Sequence, residues 1–239
     1  MHNDEIKTKE RPVLPPEYQA IYEEMYKANR QGRGIASFLS QKIESWMHKT
    51  VASTQKEGNN VLEIGAGTLN QLQYELNANP IYDIIEPFQK LYIDSSYRKN
   101  IRNTYADIDE IPFENISYDR IISIATYEHI LNLDEVVAKT TKLLNPGGIH
   151  CAAVPNEGYF LWKLGYTMTT GLAFRIKYGL DYNIIMRHEH VNNVNEIEEI
   201  FNKHYAKIKR ILFGISPSLC LYRVYICTDP IETEECDKG

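Results

Sequence analysis

Val61-Leu62-Glu63-Ile64-Gly65-Ala66-Gly67-Thr68 is the stretch on which the fold turns. Its first half is an apolar run of branched residues, the composition of a central parallel strand covered on both faces. Two glycines then stand two positions apart, which lets the backbone approach a ligand with no Cβ in the way. Strand, glycine turn and helix start together describe a loop that cradles a nucleotide-type cofactor. A dinucleotide loop requires a further glycine three residues after the second, for close helix–strand packing. Asn70 stands at that position, so an NAD(P)-dependent oxidoreductase is held only as the alternative.

Outward from this loop the pattern alternates. Strands are expected near 60–64, 81–86, 101–105, 119–124 and 149–154, with helices between them, which implies an α/β fold with a doubly wound, mostly parallel, Rossmann-like sheet. Its ligand crevice lies at the carboxyl ends of the strands. Residues 195–204 read as a helix, and 205–213 and 219–228 as two strands turning at Gly214 and Pro217. The sheet should therefore have seven strands and close on an antiparallel hairpin. Before the first strand, Pro15-Pro16 opens a helix to about Arg30, because proline is tolerated in a first turn. Gly32-Arg33-Gly34 breaks it, and a second helix runs from about Ile35 to Thr54 with Ile35, Phe38, Leu39, Ile43, Trp46, Met47 and Val51 at helical spacing. The expected organisation is an N-terminal helical cap over 1–57, a catalytic domain over 58–230 with an insertion at 155–193 after strand five, and an acidic tail over 231–239. The cap is either a lid over the cofactor or a cover for one sheet edge.

Further motifs fall at the strand ends in a fixed order. Ile81-Tyr82-Asp83-Ile84-Ile85-Glu86-Pro87 is a short apolar strand ending in a carboxylate, the place from which ribose hydroxyls are held in Rossmann folds. Tyr105-Ala106-Asp107-Ile108-Asp109-Glu110-Ile111-Pro112-Phe113, Tyr118-Asp119-Arg120-Ile121-Ile122-Ser123-Ile124, Tyr127-Glu128-His129-Ile130 and Leu143-Leu144-Asn145-Pro146-Gly147-Gly148 follow. With Glu63 two residues before Gly65, the set resembles the class I S-adenosylmethionine-dependent methyltransferases from about Asn60 to Val154. More narrowly, it is similar to their small-molecule branch. The Gly-Ala-Gly-Thr-Leu-Asn, Pro155-Asn156-Glu157-Gly158 and Arg-His-Glu-His-Val-Asn runs resemble members associated with bacterial surface-polysaccharide synthesis. The resemblance implies S-adenosylmethionine as cofactor and S-adenosylhomocysteine as product. It also implies cofactor contacts from Glu63, Gly65, Ala66, Gly67, Glu86, Pro87, Asp107, Ile108 and Ile124, with Asp107 on the adenine. Many members carry a third glycine where this chain has Leu69, which implies a loop set back from the methionine moiety. A catalytically silent S-adenosylmethionine-binding partner subunit is the second alternative.

Composition bounds the partners. The chain has 239 residues with 43% hydrophobic and 24% charged residues, the usual mix of one α/β enzyme domain. A formal net charge of −6 argues against a general nucleic-acid binder. Met1–Glu10 is polar and no apolar run approaches the roughly 20 residues of a membrane span, so a cytoplasmic location is expected. Cys151, Cys220, Cys227 and Cys236 form no C-x-x-C pair and are read as reduced thiols. The oligomeric state is left open.

Pro155 to Asn193 is far longer than an ordinary α/β connection, and long connections tend to be functional. Within 158–187 it carries Lys163, Arg175, Lys177 and Arg187 against Asp181 alone. A cationic patch beside the crevice would attract an anionic acceptor such as a glycan or a nucleotide-sugar precursor, with Arg175, Arg187, Tyr166 and Tyr127 as candidate contacts. The plainer reading is a solvated helix face with its aromatics buried. Met186-Arg187-His188-Glu189-His190-Val191-Asn192-Asn193 concentrates titratable groups. A hydroxyl acceptor needs a base, and histidine is the usual one at neutral pH. His190 and His188, pointing the same way if the run is extended, are the candidates, with His129 in reserve. The same run could instead bond its own backbone. No metal is expected, for want of a third ligand at a recognised spacing.

Overall fold

In the computed structural model, residues 9–30 and 38–231 are described. The Gly32-Arg33-Gly34 break, Ile35, Cys236 and most of the acidic tail lie outside them. Helix α1 is Pro16–Arg30 and α2 is Phe38–Ala52; strands β1 Asn60–Ile64, β2 Ile81–Ile85, β3 Ile101–Tyr105, β4 Tyr118–Ile124 and β5 Leu144–Pro155 follow, with the short α3 Leu72–Glu75 after β1 and α4 Leu133–Leu143 after β4. The insertion contains α5 Phe160–Tyr166, a π-helical turn Thr167–Gly171, α6 Leu172–Tyr178 and α7 Tyr182–Glu189. The chain closes with α8 Val194–His204, β6 Tyr205–Ser216 and β7 Leu219–Pro230.

The sheet runs β3-β2-β1-β4-β5-β7-β6. The first five strands pair in parallel and β7 lies antiparallel between β5 and β6. The expected seven-stranded sheet and its closing hairpin are both present. β5 begins earlier than expected. Leu144 already pairs with Tyr118, and the Pro146-Gly147-Gly148 segment is a bulge within the strand, with Gly147 at φ +75°.

Two apolar layers flank the sheet. On one side Leu133, Val136 and Val137 of α4 and Ile197 and Phe201 of α8 cover Leu62, Ile121 and Ala152; on the other Met47 and Val51 of α2 and Leu72 of α3 cover Val61, Ile84 and Ile122. α8 starts on a capping box: Asn193 Oδ1 accepts the Glu196 N–H while Glu196 accepts the Asn193 N–H. A third, smaller core joins α1 to the insertion, with Leu14 and Tyr18 against Phe174 and Ile185. The Tyr18 hydroxyl also accepts the Asp181 N–H at 2.9 Å. The two N-terminal helices thus have different partners, the insertion for α1 and the sheet for α2.

The histidine run is not extended. It lies mostly in α7, whose N-cap Asp181 accepts the Asn183 N–H, and helix ends only at Glu189. His188 and His190 consequently face different surroundings.

Candidate functional site

The loop after β1 is shaped by its glycines. Gly65 sits at φ +74°, and a Cβ there would fall 2.3 Å from Thr126, so no side chain fits. Gly67, at φ +50°, faces open space in which a Cβ would meet nothing within 4 Å. Leu69 takes the left-handed backbone (φ 67°) that a glycine would adopt freely, and its side chain is wholly buried. The strain costs on the order of 1–2 kcal/mol, and burial of the leucine offsets it. Its side chain therefore packs in the core.

These residues open onto a cavity of about 500 Å³ lined by Glu63, Gly65, Ala66 and Gly67 from the loop, Ile124 from β4, Glu44, Met47 and His48 from α2, Trp162 and Tyr166 from α5, and Tyr222 from β7. Glu63 is buried and accepts the Tyr82 hydroxyl at 2.9 Å. Burial pushes its carboxyl up to about 8, helped by the Glu75 and Glu86 charges and opposed by the Tyr82 hydrogen bond and Arg120. It is thus uncharged at neutral pH until a cation arrives. Trp162 lines this cavity, and its buried Nε1 has no hydrogen-bond partner among the described residues.

Glu86 ends β2 with both oxygens in use. Oε2 accepts the Gly67 N–H and Oε1 the Phe88 N–H, each at 2.9 Å. The carboxylate therefore staples the glycine loop to the neighbouring strand, and each oxygen keeps a lone pair for a hydroxyl. Pro87 is exposed beside it, Asp107 is exposed and caps the turn at 108–110 through the Asp109 N–H at 3.0 Å, and Ile108 is buried. Glu86, Pro87, Asp107 and Ile108 lie at the next strand ends, outside the 500 Å³ cavity.

Beneath the loop lies a polar network that the sequence did not disclose. Arg120 donates to both oxygens of Glu75 at 2.8 and 3.2 Å, to Val51 O and to Thr54 Oγ1. Gln71 Nε2 donates to Glu75, and Gln71 Oε1 accepts from His48 Nδ1 at 2.7 Å. Arg120, Glu75 and Gln71 are essentially unexposed. The network ties α2, and with it His48 of the cavity wall, to the sheet. Its members come from separate segments, so no local signal could have gathered them.

A separate cluster joins two of the expected residues, His190 and His129, to new partners. His190 Nδ1 contacts the Glu157 carboxylate, and its ring meets that of His129 edge to face at 4.8 Å. His129 Nδ1 donates to Glu189 O at 3.0 Å and lies 3.3 Å from the Glu189 carboxylate. Burial disfavours the imidazolium of His129, yet Glu189 and Glu128 carry its pKa above the ordinary value. Burial likewise raises the Glu189 carboxyl, but His129, Tyr22 and Arg11 together bring it down to about 2. Glu128, 2% exposed, is pushed up by burial, against the pull of both histidines. Ligand atoms of Glu128, His129 and His190 all lie within 4.8 Å of one another. The fold thus brings Glu128 beside a histidine pair that is 129 and 190, not 188 and 190.

His188 is elsewhere. Its Nδ1 donates to Pro12 O at 2.7 Å, and its ring packs on Tyr22. Tyr127 also departs from expectation. It is fully buried with its hydroxyl 2.6 Å from His150 Nε2, so it belongs to the core and touches no acceptor. Its place after β4 suggested a crevice wall, but the turn at 127–129 rotates the ring inward. Tyr166 lines the main cavity and both smaller ones beside it, with its hydroxyl on Asn183 Oδ1. Arg175 lines one of these, about 480 Å³, with Asp181 and Asn183. Arg187 lines the other, about 430 Å³, with Lys163, Glu157, Asn183 and Asn193. This second cavity shares both Trp162 and Tyr166 with the main one.

A family model described as a methyltransferase domain matches residues 35–204. No curated protein matches the chain. Among solved structures, the chain is similar to a S-adenosylmethionine-dependent methyltransferase, possible histamine N-methyltransferase, from Thermotoga maritima (13% identity, 89% of this chain and 96% of that one, TM-score 0.55). It is similar also to the N-methyltransferase NodS from Bradyrhizobium japonicum in complex with S-adenosyl-L-homocysteine (13% identity, 90% and 100% covered, TM-score 0.55). A third is phosphoethanolamine N-methyltransferase 2 from Haemonchus contortus in complex with S-adenosyl-L-methionine (14% identity, 80% and 53% covered, TM-score 0.55). The family match, with β7 antiparallel between β5 and β6, removes the oxidoreductase alternative, because a dinucleotide fold continues parallel in the order 3-2-1-4-5-6.

Proposed function

The chain belongs to the methyltransferase-domain family of S-adenosylmethionine-dependent enzymes, and we propose that its acceptor is a small anionic molecule, a glycan or nucleotide-sugar precursor being the favoured class. Bound S-adenosylmethionine supplies an activated methyl group for in-line displacement. The protein's residues fit it: Gly67 leaves the room a ligand backbone needs, Glu63 waits uncharged for an ammonium, and Glu86 stands ready for ribose hydroxyls. Asp107, Ile108 and Pro87 at the adjoining strand ends would border the adenine. Tyr166 and Trp162 wall off the methyl-bearing end and exclude water, which leaves alignment of the acceptor as the main catalytic task.

The observation that carries the acceptor reading is the cavity holding Lys163 and Arg187, which shares the walls Trp162 and Tyr166 with the main cavity. A phosphate or carboxylate held by the two cations would leave a sugar ring against the aromatic pair, facing the methyl. Arg175, in the further cleft, would touch only a longer acceptor. His190 and His129 would activate an acceptor hydroxyl; His188, turned onto Pro12, would not. The polysaccharide-associated resemblance supports the same class. A cytoplasmic setting is part of this proposal; among the described residues no helix is long and apolar enough to cross a membrane.

The test is a panel of nucleotide sugars, sugar phosphates and their neutral counterparts, read as S-adenosylhomocysteine formed. Turnover with anionic acceptors, lost when the phosphate is removed, is the expected result. Preference for a neutral amine would refute the anionic class. S-adenosylhomocysteine binding without turnover on any acceptor would instead favour a silent partner subunit.

A further inference from the structure

We propose that Glu128, His129 and His190 form a binding site for a divalent transition-metal ion, of which Zn²⁺ is the probe of choice. Two imidazoles and one carboxylate are a donor set suited to Zn²⁺ and its neighbours, and a three-ligand site keeps a position open for water or substrate. The ligand atoms now lie within 4.8 Å of one another. Bonds of about 2.1 Å to a tetrahedral ion would hold them roughly 3.4 Å apart, a closure that small side-chain rotations supply.

Two observations beyond the clustering point to a ligand. Glu128 Oε2 is buried and has no hydrogen-bond partner among the described residues, a costly arrangement unless something binds it. Each histidine is also anchored through Nδ1, His190 by the Glu157 carboxylate and His129 by Glu189 O. That leaves Nε2 for an ion and reproduces the carboxylate- or carbonyl-supported imidazole of metal sites.

The frame is rigid and reachable. Glu128 O accepts the Val191 and Asn192 N–H groups, and the Asn192 side chain donates to Tyr127 O and Ile130 O, which clamps the turn after β4 to the loop after α7. Arg11 bonds His129 O and Glu189 O across the same seam. The His129 side chain is 34% exposed, which gives an ion a way in. Glu157 lines the Lys163–Arg187 cavity, so a bound ion would sit beside the acceptor proposed above. Only this consequence rests on the methyltransferase reading: the ion would acidify an acceptor hydroxyl, with His190 as ligand and not as base.

The experiment uses the full chain, stripped with EDTA and titrated with Zn²⁺ against a competing chelator, with S-adenosylhomocysteine affinity measured separately on every variant. One equivalent should bind. Glu128→Gln, His129→Ala and His190→Ala should each weaken binding at least 100-fold, and Glu157→Gln by about 10- to 100-fold as a supporting residue. His188→Ala, which changes a histidine outside the cluster, should leave it unchanged. Co²⁺ should give a visible absorption band that the three ligand variants lack. Retained S-adenosylhomocysteine affinity identifies variants that still fold. No Zn²⁺ binding by the parent, or equal binding by folded ligand variants and parent, would overturn the site and return His190 to the role of direct base. Zn²⁺ binding without any S-adenosylhomocysteine binding would leave the site standing and sink the methyltransferase reading instead.

Discussion

Replacing Glu63 by glutamine keeps the shape of the side chain and removes its ability to ionise. The folded protein holds this carboxyl at about 8 against an ordinary 4.5, chiefly because it is buried. Below pH 4.5 the folded and unfolded chains both keep the proton. Between 4.5 and 8 the unfolded chain releases it and the folded chain does not, so stability falls as pH rises through that window and levels off above it. The slope is about 1.4 kcal/mol per pH unit, accumulating to the order of 5 kcal/mol across the window. Glu63→Gln removes this dependence and can still accept the Tyr82 hydroxyl. Urea unfolding of both proteins at pH 5, 6, 7 and 8 isolates the effect, since other groups titrating in that range cancel in the difference. The variant should gain on the parent by about 1.4 kcal/mol with each unit. S-adenosylhomocysteine adds a second readout: its ammonium beside Glu63 should expel close to one proton at pH 7 from the parent and none from the variant, seen by calorimetry in buffers of different ionisation enthalpy. A stability difference that stays flat with pH would refute the reasoning.

Glu86→Ala loses both the loop staple and the ribose partner, and should weaken S-adenosylhomocysteine binding by about 1.5–3 kcal/mol, measured by calorimetry on protein of unchanged circular dichroism. Arg187→Ala should raise the KM for an anionic acceptor with S-adenosylhomocysteine affinity nearly unchanged, and Arg175→Ala should do so only for acceptors long enough to reach the next cleft. With a hydroxyl acceptor, His190→Ala should lower kcat by roughly 10² to 10⁴, while His188→Ala should leave kcat within about twofold. Leu69→Gly relieves the left-handed strain but empties a core position, and should lower stability by roughly 1–4 kcal/mol in urea unfolding.

The central strands were legible because β1, β2 and β4 are short, largely apolar runs bounded by turn residues, and β1, β3 and the closing hairpin begin where the alternation predicts. β5 was cut short because Pro146-Gly147-Gly148 reads as a turn, although pairing continues across it from Leu144. α7 was missed at its C-terminal end for a different reason. Its buried Ile185 faces a core shared with Leu14 and Tyr18, a partner remote in sequence. The glycine loop was readable because its pattern is local: Glu63, Gly65 and Gly67 fall within five positions, and both glycines take the positive φ that favours glycine. The Glu128–His129–His190 cluster and the Arg120–Glu75–Gln71–His48 network were not readable, since each forms only when segments distant in sequence meet. Leu69 shows the limit from the other direction. A missing glycine suggested a displaced loop, yet burial holds the leucine in the glycine's backbone conformation.

The core shared by α1 and the insertion makes two remote stretches of chain a single inheritance. Residues 9–30 and 155–193 bury Tyr18 against Phe174, and Lys9 and Arg11 reach across to Asn192, Glu196 and the carbonyls of His188 and Glu189. A chimera that grafted only the insertion from a relative would lack the surface that holds that insertion still, and trimming the chain before Pro16 would remove the Lys9 and Arg11 bonds to the histidine loop. If the insertion holds the acceptor as proposed, acceptor preference can be exchanged, or can drift, only as a matched pair of segments, while the glycine loop and its strands stay behind as a common chassis.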